Sequence, residues 1–539
     1  MRPFALVHSG LVWIGCGILA ATLGPARAEE GDDATQFWAF NAPVAPAVPE
    51  VEMKDWPRDG IDHFILAQIE DAGLRPAEEA DRQSFARRVF YDLTGLAPSA
   101  EQVSAFVADR APDAHERLVD GLLAAPAFGE RVASLWLNIA RYAEDQAHQV
   151  GDDKKYFYPN AHRYRAWVIA AFNRDLPYNQ FIRYQLAADH YGDEGQQNIV
   201  ALGFLGLGPQ YYNRKRLEVM AEEWEDGVDV VTRGFLGLTV ACARCHDHKY
   251  DPVTVQDYHA LAGVFASTKI HMHEILLADG SKGIAHIVKD DRVRDLPLFN
   301  RGNVEDPGEQ VPRRFLEVLS RGQPQPFTAG SGRRELAEAI ADPSNPLTAR
   351  VAVNRLWQMV FGRGLVRTPS NFGKLGSAPT HPELLDHLAL RFIEGGWSVK
   401  SLVRDMVLSS TYRQSSLPAD DEVFAADQAN LKWARMERRP LSAEMLRDAL
   451  LAASGELQEG DSGSESLSVT DPANTRRTVY ARVSRKELDA FLATFDYPDA
   501  NVHSSLRDRT VTPTQKLFLL NSDFVIARAD AIALSLIHI

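Results

Sequence analysis

Apolar residues recur with the spacing of an amphipathic helix along most of the chain, which predicts a mainly α fold. The first helix is predicted to begin near Asp59 and to end at Gly73. Its apolar face consists of Ile61, Phe64, Ile65 and Ile69. Further helices are predicted at about residues 81–93, 113–125 and 128–144. Another helix is predicted after Ser99, where Gln102 completes a capping box.

Two stretches depart from the helical period. Within residues 282–298, Ile284, Ile287 and Val288 predict a short strand pair, and alternating residues over 478–483 predict another strand. Gly, Pro and charged residues dominate between residues 275 and 330, which indicates a boundary between two helical domains. A chain of 539 residues is also too long for one ordinary core, so its length predicts two or three domains.

These patterns predict a mainly α chain, with two helical domains and few short strands, in six segments. The segments are a signal peptide (1–28), an extended linker (29–58), a helical domain (59–275), a linker or irregular region (276–332), a second helical domain (333–533) and an end that stops without a cap and is interpreted as artefactual (534–539).

The first 28 residues have the three parts of a secretory signal. Arg2 gives a positive start, residues 11–23 are apolar, and residues 26–28 form an A-x-A cleavage site. The apolar run is interrupted by glycines and is short for a membrane span. Acylation at Cys16 is the alternative, but the residues before it form a poor lipobox. We therefore expect an exported, periplasmic protein without a membrane span in the mature chain.

The charge of the chain limits its partners. The formal net charge is −15. Cleavage of the signal would remove the positive charges of Arg2 and Arg27 and no acidic residue, so the mature chain would be still more negative. Phosphates would repel such a chain, so nucleic acid is not an expected partner.

One short motif carries recognisable chemistry, namely the Cys-x-x-Cys-His formed by Cys242, Cys245 and His246. In this motif two thiols attach covalently to one haem, and the adjacent imidazole becomes an axial ligand of the iron. The third cysteine, Cys16, lies in the predicted signal. The pattern therefore favours one haem c and disfavours a disulfide framework.

Three other interpretations of the motif remain open. Cys242, Cys245, His246 and His248 offer thiolate and imidazole ligands for zinc, although seven consecutive residues are few for a tetrahedral site. The thiols could form a redox-active disulfide, but no thioredoxin-like βαβ pattern surrounds them. They could also form a short structural disulfide.

The second axial ligand would decide the chemistry of a haem, because a Met or His favours electron transfer and an open position permits small-molecule chemistry. The candidates nearest in sequence are Met220, His271, Met272 and His273. Asp247 and His248 could orient His246. They could instead bind a metal together with acidic residues between 222 and 229.

Several sequence runs together resemble a known pair of families. Asp92-Leu-Thr-Gly-Leu96 and the runs at 136–144, 165–185 and 237–249 resemble the planctomycete-specific cytochrome domain, second type. Runs that resemble its usual C-terminal partner, the planctomycete-specific domain one, lie at residues 345–350, 354–357, 361–365, 371–373, 381–382 and 408–412. The resemblance covers almost all of the mature chain.

The resemblance implies a cytochrome-like protein of unassigned activity, since the family's cytochrome label rests largely on the same Cys-x-x-Cys-His. Many relatives carry an additional cytochrome c domain, whereas this chain has one such motif and would need a separate redox partner. The family is often linked with exported enzymes of polysaccharide breakdown, which implies a carbohydrate context.

Three classes of function follow. The first is an exported c-type haem protein for electron transfer or haem-dependent redox chemistry. The second is a metal-dependent hydrolase or lyase acting on carbohydrate, with a structural zinc at the cysteines. The third is a non-catalytic binding or scaffold protein. A serine hydrolase is not indicated, because no G-x-S-x-G motif is present.

Overall fold

The computed structural model describes residues 37–146, 157–211, 214–276, 280–460 and 466–537. The predicted signal peptide at 1–28, the start of the predicted linker and the last two residues of the chain lie outside these ranges. No helix within the described ranges is long and apolar enough to cross a membrane. Half of the residues that the structure describes are helical and 7% are in strands, so the mainly α prediction is confirmed.

The first part of the described chain is helical. Its helices are α1 (Gly60–Asp71), α2 (Arg82–Thr94), α3 (Ala100–Ala108), α4 (Ala114–Ala124), α5 (Pro126–Ile139), α6 (His162–Asn173), α7 (Tyr178–Ala187), α8 (Gly192–Gln197), α9 (Gly203–Gly206), α10 (Leu217–Val231) and α11 (Val255–Ala266).

Local signals explain most of these boundaries. Asp59 caps α1 by accepting hydrogen bonds from two backbone amides, and Ser99 with Gln102 forms the expected capping box on α3. The predicted end of α5 is wrong, because the helix stops at Ile139 rather than near residue 144. Arg141 there adopts a left-handed conformation with φ 48° and turns the chain.

Four strands follow in two antiparallel hairpins. β1 (Thr268–Leu276) pairs with β2 (Lys282–Asp290), and β3 (Leu296–Phe299) pairs with β4 (Pro307–Val311). Ile287 and Val288 are buried on β2. A strand pair therefore exists, but β2 finds its partner upstream, and the region predicted as a linker or irregular contains three strands.

The last part of the described chain is again helical. Its helices are α12 (Arg333–Ala341), α13 (Thr348–Phe361), α14 (Pro382–Glu394), α15 (Val399–Leu408), α16 (Ser410–Arg413), α17 (Asp421–Ala426), α18 (Ala443–Ala453), α19 (Ala490–Thr494), α20 (Pro513–Asn521) and α21 (Asp523–Ile537).

The strand predicted over residues 478–483 is wrong. Residues Thr478–Tyr480 form a single 3-10 turn. Asp448 accepts hydrogen bonds from both the backbone amide and the hydroxyl of Thr478, so this backbone is bound to a side chain of α18 instead of a neighbouring strand.

The largest cluster of buried apolar side chains contains residues from both parts of the chain, from Ala39 to Tyr480. Ala39 and Phe40, within the predicted linker, belong to this core. Buried ion pairs also join the two parts: Arg333 bonds Asp189, and Arg477 lies 2.5 Å from Glu130. Apolar packing and charge pairing therefore hold the two parts against each other.

Candidate functional site

The loop that carries the cysteines, residues 242–251, lies between α10 and α11. A π-helical turn (Thr232–Leu236) continues α10 and ends at Gly237, whose φ of 60° is left-handed. A Cβ at Gly237 would lie 2.9 Å from Phe372, so a glycine allows the chain to pass closely there. The 3-10 turn Val240–Ala243 then leads into the loop.

Both cysteines are exposed, with Cys242 in this turn and Cys245 two residues after it. Val240 and Ala243 are fully buried, whereas Cys242 and Cys245 are exposed and are both free. The backbone at Gly302 passes so close to Cys245 that a Cβ there would lie 2.5 Å from its sulfur. The packing of the turn therefore rests on its alanine and valine, and leaves both sulfurs accessible.

The exposed imidazole of His246 is oriented by its neighbour's backbone. Its Nδ1 lies 2.7 Å from the carbonyl oxygen of Asp247. Because a carbonyl oxygen only accepts, Nδ1 carries the hydrogen, and Nε2 keeps its lone pair. Nε2 has no hydrogen-bond partner among the residues that the structure describes.

His248, unlike the exposed His246, is largely buried and fixes the loop through hydrogen bonds. Its side chain is only 6% exposed, and its Nδ1 accepts a hydrogen bond from the backbone amide of Asp251 at 2.9 Å. Its Nε2 lies 3.2 Å from the hydroxyl of Thr239. Both ring nitrogens are thus engaged, so this proposed zinc ligand would have to break existing hydrogen bonds before binding a metal.

Two carboxylates anchor the loop to its surroundings. Asp247 accepts a hydrogen bond from the backbone amide of Val255 at the start of α11. Asp251, which is 5% exposed, accepts one from the amide of Lys374 at 2.7 Å. The loop is therefore attached both to the helix that follows it and to the C-terminal part of the chain.

Several of the acidic residues between 222 and 229 on α10 are paired with arginines. Glu225 bonds Arg244 of the loop, and Asp229 lies 2.6 Å from Arg233. Asp226 forms an ion pair with the buried Arg141. Within the described ranges, no group of three or more His, Cys, Asp or Glu side chains could hold a metal ion.

The candidates for a second axial ligand lie on two elements. Met220 is half-buried on α10, while His271, Met272 and His273 lie on β1. Met272 is 63% exposed, and His273 lines a separate cavity of about 570 Å³. Burial and the neighbouring charge of Lys289 lower the pKa of His273. In the described part of the chain, no hydrogen bond or ring contact joins these residues to His246.

The structure also brings together a serine and a histidine that no sequence motif indicated. Ser370 Oγ lies 2.5 Å from His503 Nε2, and His503 Nδ1 lies 3.0 Å from the carbonyl of Ile139. Burial and the charge of Arg355 hold the pKa of His503 well below its usual value. An imidazolium is disfavoured here, so His503 is a weak general base, and we assign the pair no catalytic role.

Replacing His248 by alanine should destabilise the protein by about 1–3 kcal/mol, because the buried amide of Asp251 would lose its acceptor. Urea unfolding followed by circular dichroism measures this loss. The matched control is His246→Ala, two residues away on the exposed side of the loop, which should leave the unfolding midpoint unchanged. Equal destabilisation by the two variants would contradict the assignment of His248 as the anchor.

Two family models match the chain. Residues 60–270 match PSCyt2, described as a protein of unknown function (DUF1549), and residues 332–538 match PSD1, described as a protein of unknown function (DUF1553). These are the two domains expected from the resemblance, in the expected order. No curated protein and no solved structure matches the chain.

Proposed function

The chain contains a PSCyt2 domain followed by a PSD1 domain, and on this premise we propose that it is an exported, periplasmic c-type haem protein. The observation that carries the proposal is the state of three adjacent side chains. Cys242 and Cys245 are free and exposed, and His246 Nε2 has no hydrogen bond to any residue that the structure describes.

These side chains fit the chemistry of haem attachment. Formation of two thioether bonds requires two accessible, unpaired thiols, which the turn supplies. An iron-ligating histidine usually donates its other ring N–H to a carbonyl or carboxylate, which fixes the ring and raises its basicity. His246 already makes such a bond with the Asp247 carbonyl. Cys242 and Cys245 would hold the group, and His246 would be its axial ligand.

When bound, haem supplies one-electron redox chemistry. The protein's part is to hold the three attachment residues in position. His248 and Asp251 fix the loop backbone through buried hydrogen bonds, so attachment would require little rearrangement. Met220, His271, Met272 and His273 remain the candidates for the second axial position.

The same contacts favour haem over zinc. The four-ligand zinc set needs His248, whose two ring nitrogens are already bonded to Asp251 and Thr239. A haem needs only Cys242, Cys245 and His246, and the hydrogen bond from His246 Nδ1 to the Asp247 carbonyl could remain when Nε2 binds iron. Because the chain has one Cys-x-x-Cys-His motif, we propose one haem and a separate redox partner. We also propose a connection with polysaccharide breakdown. The two helical domains would share one apolar core.

A pyridine haemochrome spectrum tests the proposal. The full chain should be exported from a host that has haem c maturation machinery. We expect a c-type α-band that persists after acid–acetone extraction, because thioether bonds survive that treatment. The variant Cys242→Ala/Cys245→Ala should lose the band completely, while circular dichroism shows that it remains folded, since both thiols are exposed.

A second pair of variants separates attachment from ligation. His246→Ala should retain some covalent haem but shift its Soret band, because the iron loses an axial nitrogen. His248→Gln should keep the wild-type spectrum. Folded, exported protein without covalent haem would overturn the proposal, and stoichiometric zinc in that sample would establish the alternative of a zinc-bearing protein.

A further inference from the structure

A large cleft lies away from the cysteine loop, between the segments that match the two families. Its volume is about 710 Å³, within the range of small-molecule sites. It is formed by α2 and α5 on one side and by α13 with residues 437–446 and 495–515 on the other. None of its lining residues belongs to the loop at 242–251.

The cleft has a strong excess of positive charge in an acidic protein. Among the described residues, eight arginines and four acidic residues line it, whereas the whole chain carries a net charge of −15. Two of the arginines are neutralised by buried carboxylates, Arg439 by Asp92 and Arg507 by Glu444. The excess of positive charge is therefore local to the cleft.

The other arginines of the cleft have no carboxylate within ion-pair distance in the described part of the chain. They are Arg87, Arg88, Arg131, Arg355, Arg438 and Arg509. Arg88, Arg355 and Arg509 donate hydrogen bonds to backbone carbonyl oxygens, which carry no net charge. The positive charges of the cleft therefore still repel one another at reduced solvent exposure, and an anion would relieve this repulsion.

Among these residues, Arg131 gives the strongest indication of an anion site. Its side chain is only 9% exposed, and within the described ranges its one hydrogen bond runs from Nε to the carbonyl oxygen of Asp92 at a long 3.4 Å. Its two terminal amino groups make no hydrogen bond with any residue that the structure describes, and Arg131 is one of the residues that line the cleft. Burial lowers the pKa of Arg131 to about 10; the charge of Asp92 opposes this effect, and repulsion by Arg439 adds to it. A buried guanidinium normally has a charged partner.

We propose that this cleft binds a small organic anion that carries at least two carboxylate, sulfate or phosphate groups. The planar guanidinium forms paired hydrogen bonds with each of these groups, so several arginines around one cleft fit a ligand with several charges. Asn138, Ser504 and Ser505 also line the cleft and supply neutral hydrogen-bonding groups. The site does not depend on haem, so a test of anion binding is independent of a test of the redox proposal.

Isothermal titration calorimetry on the full exported chain, at low ionic strength, tests this site. The probes are citrate, sucrose octasulfate and pyrophosphate, which represent the three anionic groups. We expect at least one probe to bind with 1:1 stoichiometry. The double variant Arg87→Gln/Arg438→Gln should weaken its affinity about tenfold or more, since it removes two guanidinium groups that would form charged hydrogen bonds with the anion. Both side chains are exposed, so this variant should fold.

Arg131→Gln should weaken binding at least as much, and circular dichroism verifies its fold. The matched control is Arg75→Gln/Arg404→Gln, which removes the same charge from exposed pairs with Asp420 and Asp120 outside the cleft. It should change the affinity less than twofold. Failure of all three probes to bind, or equal weakening by the control, would overturn the proposal. The probe that binds most tightly identifies the anionic group.

Discussion

Replacing Arg333 by methionine should lower the free energy of unfolding by about 3–5 kcal/mol, because it leaves two carboxylates without their shared cation. Arg333 is only 1% exposed and begins α12. Its guanidinium donates hydrogen bonds to Asp189 at 2.8 Å and to Asp290 at 2.7 Å. Asp189 follows α7 and Asp290 ends β2, so one side chain joins three elements that are far apart in sequence.

The effect of Arg333→Met should depend on pH in a definite direction. Burial alone would raise the pKa of Asp290, but the hydrogen bond with His190 and the charge of Arg333 outweigh it, and the pKa lies well below its usual value. A depressed carboxyl pKa contributes stability above the unfolded-state pKa of about 3.9, and this contribution is lost as the pH falls toward the folded-state value. The difference between wild type and variant should therefore shrink below about pH 4.

Urea unfolding at pH 7 and pH 3.5 measures both effects. The control is Arg75→Met, which removes an exposed arginine paired with Asp420 and should cost less than about 1 kcal/mol. Arg333→Met would refute the assigned role if it cost no more than this control, or if its cost increased on acidification.

Local signals in the sequence predicted many elements, because caps and apolar periods act within a few residues. Asp59 and Ser99 cap helices as expected, and Gly95 ends α2 in a left-handed conformation. The errors arose where distant residues control the backbone. The strand expected over 478–483 is replaced by a turn that Asp448 holds from 30 residues away.

In the candidate site, too, the local features could be predicted from the sequence, and the contacts that depend on folding could not. The motif of Cys242, Cys245 and His246 is readable in the sequence, and the exposure of its thiols is consistent with a short turn that buries small apolar neighbours. The anchoring role of His248 was not readable, because it depends on how the next three residues fold back. The arginine-lined cleft combines residues more than 400 positions apart, for which no local pattern exists.

Replacing Trp136 by alanine should also cost about 3–5 kcal/mol. Trp136 is 4% exposed on α5, and its ring contacts those of Phe181 at 5.0 Å and Phe235 at 5.5 Å. Phe235 belongs to the π-helical turn before the cysteine loop, so this aromatic cluster holds in place the segment that leads into the candidate site. Trp136 also donates a hydrogen bond to Gln185 at 3.0 Å.

The size of this loss follows from a cavity that already exists beside the ring. Trp136 lines an apolar cavity of about 60 Å³, so truncation would enlarge an empty space that its neighbours have not filled. Trp136→Phe should cost clearly less, because it keeps an aromatic ring, and Gln185 still accepts a hydrogen bond from Tyr164 at 2.6 Å. Urea unfolding followed by circular dichroism ranks the variants, with the less buried Trp56→Ala as control. If Trp136→Ala proved no more costly than Trp56→Ala, the cluster would not be the support inferred for the loop.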